Sequence, residues 1–356
     1  TGRVFFGENN ASGSFYAWHE DTGLFVIAAG LNKPGADSSI AARADGRVFF
    51  GTCGSNSRAY TWHKDTGLTT MIPTNQYAPG CSSMLTDDSG RAYFGGWNNY
   101  FWSWHESTGL STLFTRATGQ VGGGSTVVTP GGRVFFSDTS NPVAGNVYTW
   151  QSGVLSTVAA GVTGPGSYYA IAASDDGRVF FGENTDPGGF FTWKAGTGLT
   201  TILTGENKPG MGSSLKVTSD SRVYFTDHDN PNALWTWQST TGLSTILTGF
   251  AGVGNWGNSM QLDSNNRLFF GSGTSPGRMW AYKAGEGLST IAAGSGWSFG
   301  HNGTPRVTPK GRVFFGGWSD GFRTWHADTG LTTILSGIAY VVIWSCRAHR
   351  VSRGQA

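Results

Sequence analysis

Aromatic side chains stand next to asparagine, aspartate and glutamate at several points of this sequence. A Gly-Gly-Trp segment with polar neighbours occurs twice, and so does the string Gly-Glu-Asn. A pyranose ring offers an apolar C–H face that stacks on an aromatic ring, and hydroxyl groups that pair with amides and carboxylates. The predicted ligand-binding residues are Trp97, Asn98, Asn99, Trp318, Asp320, Glu8, Asn9, Glu183, Asn184, Trp256 and Trp297.

Residues for catalysis are harder to assemble. Acyl or glycosyl transfer needs a nucleophile with its base, or a pair of carboxylates. The nearest approach is Asp227-His228-Asp229-Asn230, which lacks the glycine and the distal glutamate of a calcium-binding loop. The sequence therefore predicts no enzyme, no metal site and no cofactor.

An internal repeat positions all of these residues. The string Gly-Arg-Val-Phe-Phe-Gly, with variants, begins eight units, and Trp-His-x-Asp-Thr-Gly-Leu or a variant follows in each. The units start at positions 2, 46, 90, 132, 177, 221, 266 and 311, so that successive starts lie 42 to 45 residues apart. This regular spacing leaves no room for a second domain or a linker between units.

Each unit predicts four short strands, A to D. In the second unit, strand A covers 38–44, strand B 47–50, strand C 58–63 and strand D 68–72. Asp45-Gly46 predicts a two-residue hairpin turn between A and B. Four antiparallel strands in every 40 to 50 residues are typical of a propeller. We therefore expect an all-β, eight-bladed β-propeller of four-stranded antiparallel blades.

The unit resembles the repeat of pyrroloquinoline-quinone-type propellers. The shared order is Ser38-Ser39, then Asp45-Gly46 and an apolar strand, then Tyr60 and, seven residues later, Gly67. The family's docking tryptophan is replaced here, for example by Thr70, and its enzymes use adjacent cysteines that this sequence lacks. The resemblance therefore implies eight blades but does not imply a quinone-dependent dehydrogenase.

The two ends of the chain bear on how a ring would close. The repeat begins directly on a strand B, so the first blade lacks a strand A. We expect residues 1–337 to form the propeller and residues 338–356 to form a closing strand or an irregular tail. Within that tail, 345–351 falls where a strand A belongs, and 338–344 is the alternative. Closure would remove two exposed sheet edges.

Residues that recur once per unit predict packing. We expect the recurring aromatic side chain to fill the space between sheets, and the arginine after the A–B turn to lie along the neighbouring blade. Histidines His19, His63, His105 and His326 predict hydrogen bonds within turns. The recurring aromatic residues are Trp18, Trp62, Trp104, Trp150, Trp193, Trp237, Tyr282 and Trp325.

Variation among the units indicates where binding takes place. The A–B and C–D turns hardly vary, whereas the B–C and D–A loops vary strongly and carry the predicted ligand-binding residues. In an antiparallel blade these two loops emerge at one edge. The pattern favours a multivalent carbohydrate-binding protein. The alternative is a structural or protein-interaction propeller, such as an adhesin, an assembly scaffold or a viral surface component.

Charge and cysteine content limit the partners and the compartment. Only 13% of residues are charged and the net charge is +2, which argues against nucleic-acid binding. No run of 18 apolar residues predicts a membrane helix. Cys53 and Cys81 fall on the same edge of adjacent blades, where a disulfide is possible. We expect an extracellular protein whose partners are glycans or a protein surface.

Overall fold

The computed structural model describes most of the chain. The described residues are 3–8, 10–35, 39–54, 57–72, 84–96, 99–116, 120–129, 131–140, 143–166, 170–211, 215–227, 233–249, 260–272, 277–294, 305–308, 311–316 and 322–335. They form strands and turns throughout. Nowhere in these ranges is there a helix that could cross a membrane.

The strands form eight antiparallel sheets within the described residues, and these belong to two compact units, with the chain passing from the first to the second after Pro165. In every sheet the strands lie side by side in chain order. The order of the sheets agrees with the repeat predicted from the sequence, because each repeat of about 44 residues corresponds to one sheet.

The first compact unit contains sheets 1 to 4. Sheet 1 is formed by β1 (Val4–Gly7), β2 (Gly13–His19) and β3 (Gly23–Leu31). Sheet 2 is formed by β4 (Ile40–Ala42), β5 (Val48–Gly51), β6 (Ala59–His63) and β7 (Gly67–Ile72). Sheet 3 is formed by β8 (Met84–Thr86), β9 (Ala92–Phe94), β10 (Tyr100–His105) and β11 (Gly109–Thr115). Sheet 4 is formed by β12 (Gln120–Val128), β13 (Val134–Ser140), β14 (Val143–Gln151) and β15 (Val154–Thr163).

The second compact unit contains sheets 5 to 8. Sheet 5 is formed by β16 (Ile171–Ala173), β17 (Val179–Gly182), β18 (Gly188–Lys194) and β19 (Gly198–Glu206). Sheet 6 is formed by β20 (Leu215–Val217), β21 (Val223–Thr226), β22 (Ala233–Gln238) and β23 (Gly242–Thr248). Sheet 7 is formed by β24 (Met260–Leu262), β25 (Leu268–Gly271), β26 (Gly277–Lys283) and β27 (Gly287–Gly294). Sheet 8 is formed by β28 (Arg306–Val307), β29 (Val313–Gly316), β30 (Phe322–His326) and β31 (Gly330–Leu335).

The A–B turn differs from the prediction of a two-residue loop. The Arg43 N–H donates to the Arg47 carbonyl (2.8 Å), and the Gly46 N–H donates to the Arg43 carbonyl (3.1 Å). Three residues therefore connect the strands, and the last, Gly46, has φ +94°. A type I turn followed by a left-handed residue gives this geometry, which accounts for the glycine at the position in most units.

Alternate residues of strand B enter two different cores. In β5, Val48 and Phe50 pack with sheet 1, whereas Phe49 packs with sheet 3, and all three are fully buried. Successive side chains of a strand point to opposite faces, so a sheet covered on both faces reads as a continuous apolar run. This explains the Val-Phe-Phe string of the repeat.

In six of the eight sheets, the recurring aromatic side chain packs against an aromatic of the preceding sheet, as predicted. Ring centroids lie 5.7 to 6.0 Å apart, at tilted or edge-to-face angles that suit the ring quadrupoles. The guanidinium of Arg178 covers the Trp237 ring at 5.3 Å. The six pairs are Phe5–Trp62, Phe49–Trp104, Tyr93–Trp150, Phe180–Trp237, Tyr224–Tyr282 and Phe269–Trp325.

Sheet 1 departs from this pattern. Trp18 is 43% exposed and Phe6 is 40% exposed, although both occupy repeat positions for which burial was predicted. Sheet 1 is the first of its unit, and these side chains lie on the face turned away from sheet 2. It has three strands among the described residues, and the predicted closing strand from the tail lies outside them.

The inter-sheet aromatic packing predicts a large cost for removing one ring. We expect Phe49→Ala to lower the free energy of unfolding by about 3–5 kcal/mol, because it leaves a cavity between sheets 2 and 3. Val154→Ala is the control, since Val154 is 65% exposed, and it should change stability by about 0.5 kcal/mol or less. Denaturant unfolding measures both, and equal effects of the two substitutions would show that Phe49 is not a core residue.

Candidate functional site

Each sheet presents two edges of different character. We call the edge with the A–B and C–D turns the turn edge, and the edge with the B–C and D–A loops the loop edge. The strands of each sheet are antiparallel and lie in chain order. The end of strand B, the start of strand C, the end of strand D and the start of strand A therefore lie at the same edge. The predicted ligand-binding residues therefore belong to the loop edge.

On the turn edge, the polar side chains hold the turns. The Asp65 N–H donates to Nδ1 of His63 at 3.4 Å, and Ser107 bonds His105 in the same way at 3.3 Å. The same contact recurs at His19 and His326, which confirms the predicted turn role of these histidines. Their ring nitrogens are thus engaged in the scaffold.

A groove of about 270 Å³ opens on the turn edge between sheets 2 and 3. Its two cations are already paired within the protein. Arg47 binds Glu106 at 2.8 Å, and Arg43 binds Asp45 at 3.1 Å. The charges of the groove are therefore used to join neighbouring turns rather than left for a ligand.

On the loop edge, one repeat position closes the B–C loop. It is the fifth residue counted from the start of strand B, and we call it the fifth position. In five sheets its side-chain oxygen accepts a backbone N–H at or near the start of strand C, which satisfies a donor that would otherwise be unpaired. The pairs are Glu8–Ser14 at 2.9 Å, Thr52–Arg58 at 2.8 Å, Glu183–Gly189 at 2.7 Å, Ser272–Arg278 at 2.8 Å, and Asp138–Asn146.

Two of the predicted ligand-binding residues therefore serve their own loops. Glu8 also accepts from the Tyr16 hydroxyl at 2.7 Å, and the hydrogen bonds from Tyr16 and Ser14 lower the pKa of Glu8. Glu183 and Glu8 keep carboxylate surface at the loop edge, and Asn184 is half-buried beside Glu183. Outside the described residues lie Asn9, Trp97, Asn98, Trp256, Trp297, Trp318 and Asp320, so their roles stay predictions.

Tyr100 is an aromatic residue of the loop edge that the sequence reading missed. It is 38% exposed at the start of β10 and follows Asn99, whose carbonyl accepts the Arg116 N–H at 2.8 Å. Its ring stacks on the buried Trp102, with centroids 5.5 Å apart and planes 20° apart. The result is a fixed aromatic surface beside a predicted polar residue.

The most unusual group on the loop edge is Asp227, at the fifth position of sheet 6. It is only 6% exposed, and its Oδ1 has no hydrogen-bond partner among the described residues. Burial, followed by hydrogen bonding and charge from Glu206 and then by charge from Asp186, raises the pKa of Asp227 to about 7. A raised carboxyl pKa with identified causes is typical of functional sites.

The equivalent residue of sheet 4 shows what a satisfied carboxylate looks like at this position. Asp138 is 1% exposed, yet it accepts from the Tyr148 hydroxyl at 3.0 Å and lies 3.5 Å from Arg116. It also accepts from the backbone and side chain of Asn146. Among the described residues, the groups that act on Asp227 are instead two other carboxyl groups, those of Glu206 and Asp186.

The sequence names Asp227 but gives no indication of its partners. Glu206 ends strand D of sheet 5 and Asp186 lies in its B–C loop, and their approach to Asp227 depends on how sheet 5 packs on sheet 6. One signal was available. The string Gly-x-Asn-Lys-Pro-Gly occurs twice, at 30–35 and 205–210, and only the second copy carries a glutamate.

Cysteine and metal chemistry at the loop edge is limited. Cys53 is disulfide-bonded, and its predicted partner Cys81 lies outside the described residues. No cluster of three or more histidine, cysteine or acidic residues in the described ranges has an arrangement that could hold a metal ion.

Comparison with known proteins gives likenesses of fold only. Neither a protein-family model nor a curated protein sequence matches this chain. A putative 6-phosphogluconolactonase from Bacteroides uniformis is similar in structure, with 14% identity, a TM-score of 0.49, and coverage of 81% of this chain and 94% of that one. The β-propeller domain of the trilobed protease from Pyrococcus furiosus is 13% identical, with a TM-score of 0.45 and coverage of 81% of this chain and 92% of that one. An acylaminoacyl peptidase from Pyrococcus horikoshii is 12% identical, with a TM-score of 0.43 and coverage of 88% of this chain and 55% of that one. Likenesses of this degree say nothing about what this chain binds or catalyses.

The raised pKa of Asp227 predicts a definite pH dependence of stability. Its folded value, about 7, lies above the ordinary value of 3.8, so the folded protein keeps a proton that the unfolded chain loses as pH rises. The contribution of Asp227 to stability is therefore greatest below about pH 4 and falls until about pH 7. We expect Asp227→Asn to be more stable than the wild type at about pH 8, by roughly 1–4 kcal/mol, with the difference vanishing near about pH 4.

Denaturant unfolding at both pH values measures this difference. Asp328→Asn, in which the replaced side chain is 85% exposed, is the control for removing a carboxylate. A difference between Asp227→Asn and wild type that stays constant across this pH range would contradict the assignment.

Proposed function

We propose that the eight sheets are the blades of one eight-bladed propeller, and that its loop edge binds carbohydrate without catalysing a reaction. The eight repeats of similar length support the ring, and closure by the tail would add a fourth strand to the first sheet. The pyrroloquinoline-quinone-type likeness of the repeat belongs to the same proposal, as a likeness of scaffold.

The observation that carries the carbohydrate proposal is Tyr100 on the loop edge. Its exposed ring is fixed by stacking on Trp102 and stands beside Asn99. A rigid aromatic surface costs little conformational entropy when a ligand binds, and a hexose can lay its C–H face on it. The predicted neighbours Trp97 and Asn98 precede it in the same loop.

Several such sites on one edge would act together. The matched loops of the sequence place similar aromatic and polar residues on more than one blade. Weak single sites gain avidity when one glycan or glycosylated surface engages several at once. This fits a multivalent lectin better than a single deep pocket.

A binding role also agrees with where the histidines lie. All four histidines in the described part of the chain belong to the turn edge, where their Nδ1 atoms accept hydrogen bonds from turns. The disulfide at Cys53 supports an extracellular location, because disulfides persist in oxidising compartments.

Glycan-array binding tests the proposal directly. We expect the wild type to bind a defined group of glycans and Tyr100→Ala to weaken that binding about tenfold, through loss of the stacking surface. Leu243→Ala is the matched control, because Leu243 is also 38% exposed but lies on strand β23. Trp97→Ala and Trp318→Ala extend the test to the predicted residues.

The array also separates the alternative. Absence of any bound glycan, with all variants folded, would contradict the carbohydrate proposal and favour a structural or protein-interaction propeller. Equal losses in Tyr100→Ala and Leu243→Ala would remove Tyr100 from the site.

A further inference from the structure

Two junctions between neighbouring sheets share one backbone arrangement. In the first, between sheets 1 and 2, the Lys33 N–H donates to the Asn10 carbonyl (2.7 Å), and the Gly35 N–H donates to the Gly51 carbonyl (2.8 Å). The second, between sheets 5 and 6, has the same two bonds, from Lys208 to Thr185 (3.0 Å) and from Gly210 to Thr226 (2.8 Å). We call the first the reference junction and the second the carboxyl junction.

The match extends to unusual details of the backbone. Lys33 and Lys208 are both in the left-handed region, with φ +44° and +45°. Gly7 and Gly182 are both pressed against a proline carbonyl, which an added Cβ would meet at 1.8 and 1.7 Å. The two junctions are therefore built the same way, and side-chain differences between them are not required by the backbone.

The main difference is a pair of carboxyl groups. The reference junction has Leu31 and Thr52 where the carboxyl junction has Glu206 and Asp227. Thr52 is 2% exposed, and its hydroxyl accepts the Arg58 N–H at 2.8 Å. Since leucine and threonine occupy these positions in a junction with the same backbone, the fold does not need the carboxyl pair.

The carboxyl pair is also costly to keep. Burying a charged or unpaired polar group is unfavourable unless a partner compensates for the lost water. Asp227 Oδ1 and Asn207 Oδ1 are both buried acceptors without a donor among the described residues. The charges acting on Asp227, from Glu206 and Asp186, are both negative. Two orphan acceptors and several carboxylates call for a cationic donor.

The exposure of the three carboxyl residues gives a route inward. Asp186 is exposed, Glu206 is half-buried and Asp227 is buried. A small cation can thus meet the negative charge at the surface and reach Asp227 at the base. The described residues do not form a metal-ligand group here, whereas an ammonium group offers three donors and needs no fixed coordination shell.

We infer that the carboxyl junction binds the ammonium group of an amine ligand, with Glu206 and Asp227 as its acceptors and Asp186 at the entrance. That the rest of the ligand is a sugar rests on the proposed function, and together they specify an amino sugar with a free ammonium group. The reference junction, which lacks the carboxyl pair, does not bind it.

Calorimetric titration with D-glucamine and D-sorbitol tests this inference. The two probes differ in one ammonium group, which, like that of lysine, stays protonated well above neutral pH. We expect the wild type to bind D-glucamine at least about tenfold more tightly than D-sorbitol. The preference should grow between about pH 5.5 and about pH 8.5, because the proton held by the carboxyl pair competes with the ligand.

Exchanging side chains between the junctions supplies the controls. The variant Glu206→Leu/Asp227→Thr gives the carboxyl junction the side chains of the reference junction, so it should fold, by circular dichroism and unfolding midpoint, and lose the ammonium preference. Leu31→Glu/Thr52→Asp is the reverse exchange and should raise the stoichiometry from one to two. If Glu206→Leu/Asp227→Thr does not fold, Glu206→Gln, which keeps the side-chain shape, should instead lose the ammonium preference.

The outcomes separate this inference from the proposed function. Equal binding of the two probes by the wild type, or a preference that survives Glu206→Leu/Asp227→Thr, would overturn the ammonium site even if the array detects glycans. An ammonium preference together with a blank array would leave the site in place and overturn the carbohydrate function.

Discussion

Aromatic packing between successive sheets is the interaction on which this structure depends. Within each compact unit, the recurring aromatic side chain of one sheet packs on a phenylalanine or tyrosine of the sheet before it, in six pairs altogether. A single four-stranded sheet cannot bury its apolar faces by itself, so successive sheets must pack on one another. The recurring residues of the sequence are those that meet this requirement.

That constraint separates the two edges. On the turn edge, left-handed glycines, histidine Nδ1 acceptors and paired arginines hold the turns in place. On the loop edge, the fifth position closes the B–C loop with whichever side-chain oxygen is available, from Thr52 to Glu183. This tolerance lets the loop edge vary while the sheet beneath it stays the same. Asp227 is the case in which the same position carries a buried carboxyl group whose Oδ1 has no hydrogen-bond partner among the described residues.

Much of the fold could be predicted from the sequence, because the repeat fixes the strands. The spacing of Val-Phe-Phe, Trp and Thr-Gly-Leu predicts four strands per unit, and their order and inter-sheet aromatic contacts are confirmed. The length of the A–B turn was wrong because Asp-Gly also ends a three-residue loop, and the exposure of Trp18 depends on which sheets cover it. At the site, the sequence did not predict Tyr100 or the Glu206–Asp227 pair. The position of the Tyr100 ring depends on its stacking on Trp102 in the same strand. The Glu206–Asp227 pair depends on a contact between two neighbouring sheets.

The most direct test of this account is an experimental structure of the protein with the tightest-binding glycan from the array. We expect eight four-stranded sheets in one ring, with ligand density at the loop edge in contact with Tyr100 or with Glu206 and Asp227. Ligand density in the groove beside Arg43 and Glu106 on the turn edge, or sheets that do not close, would contradict it.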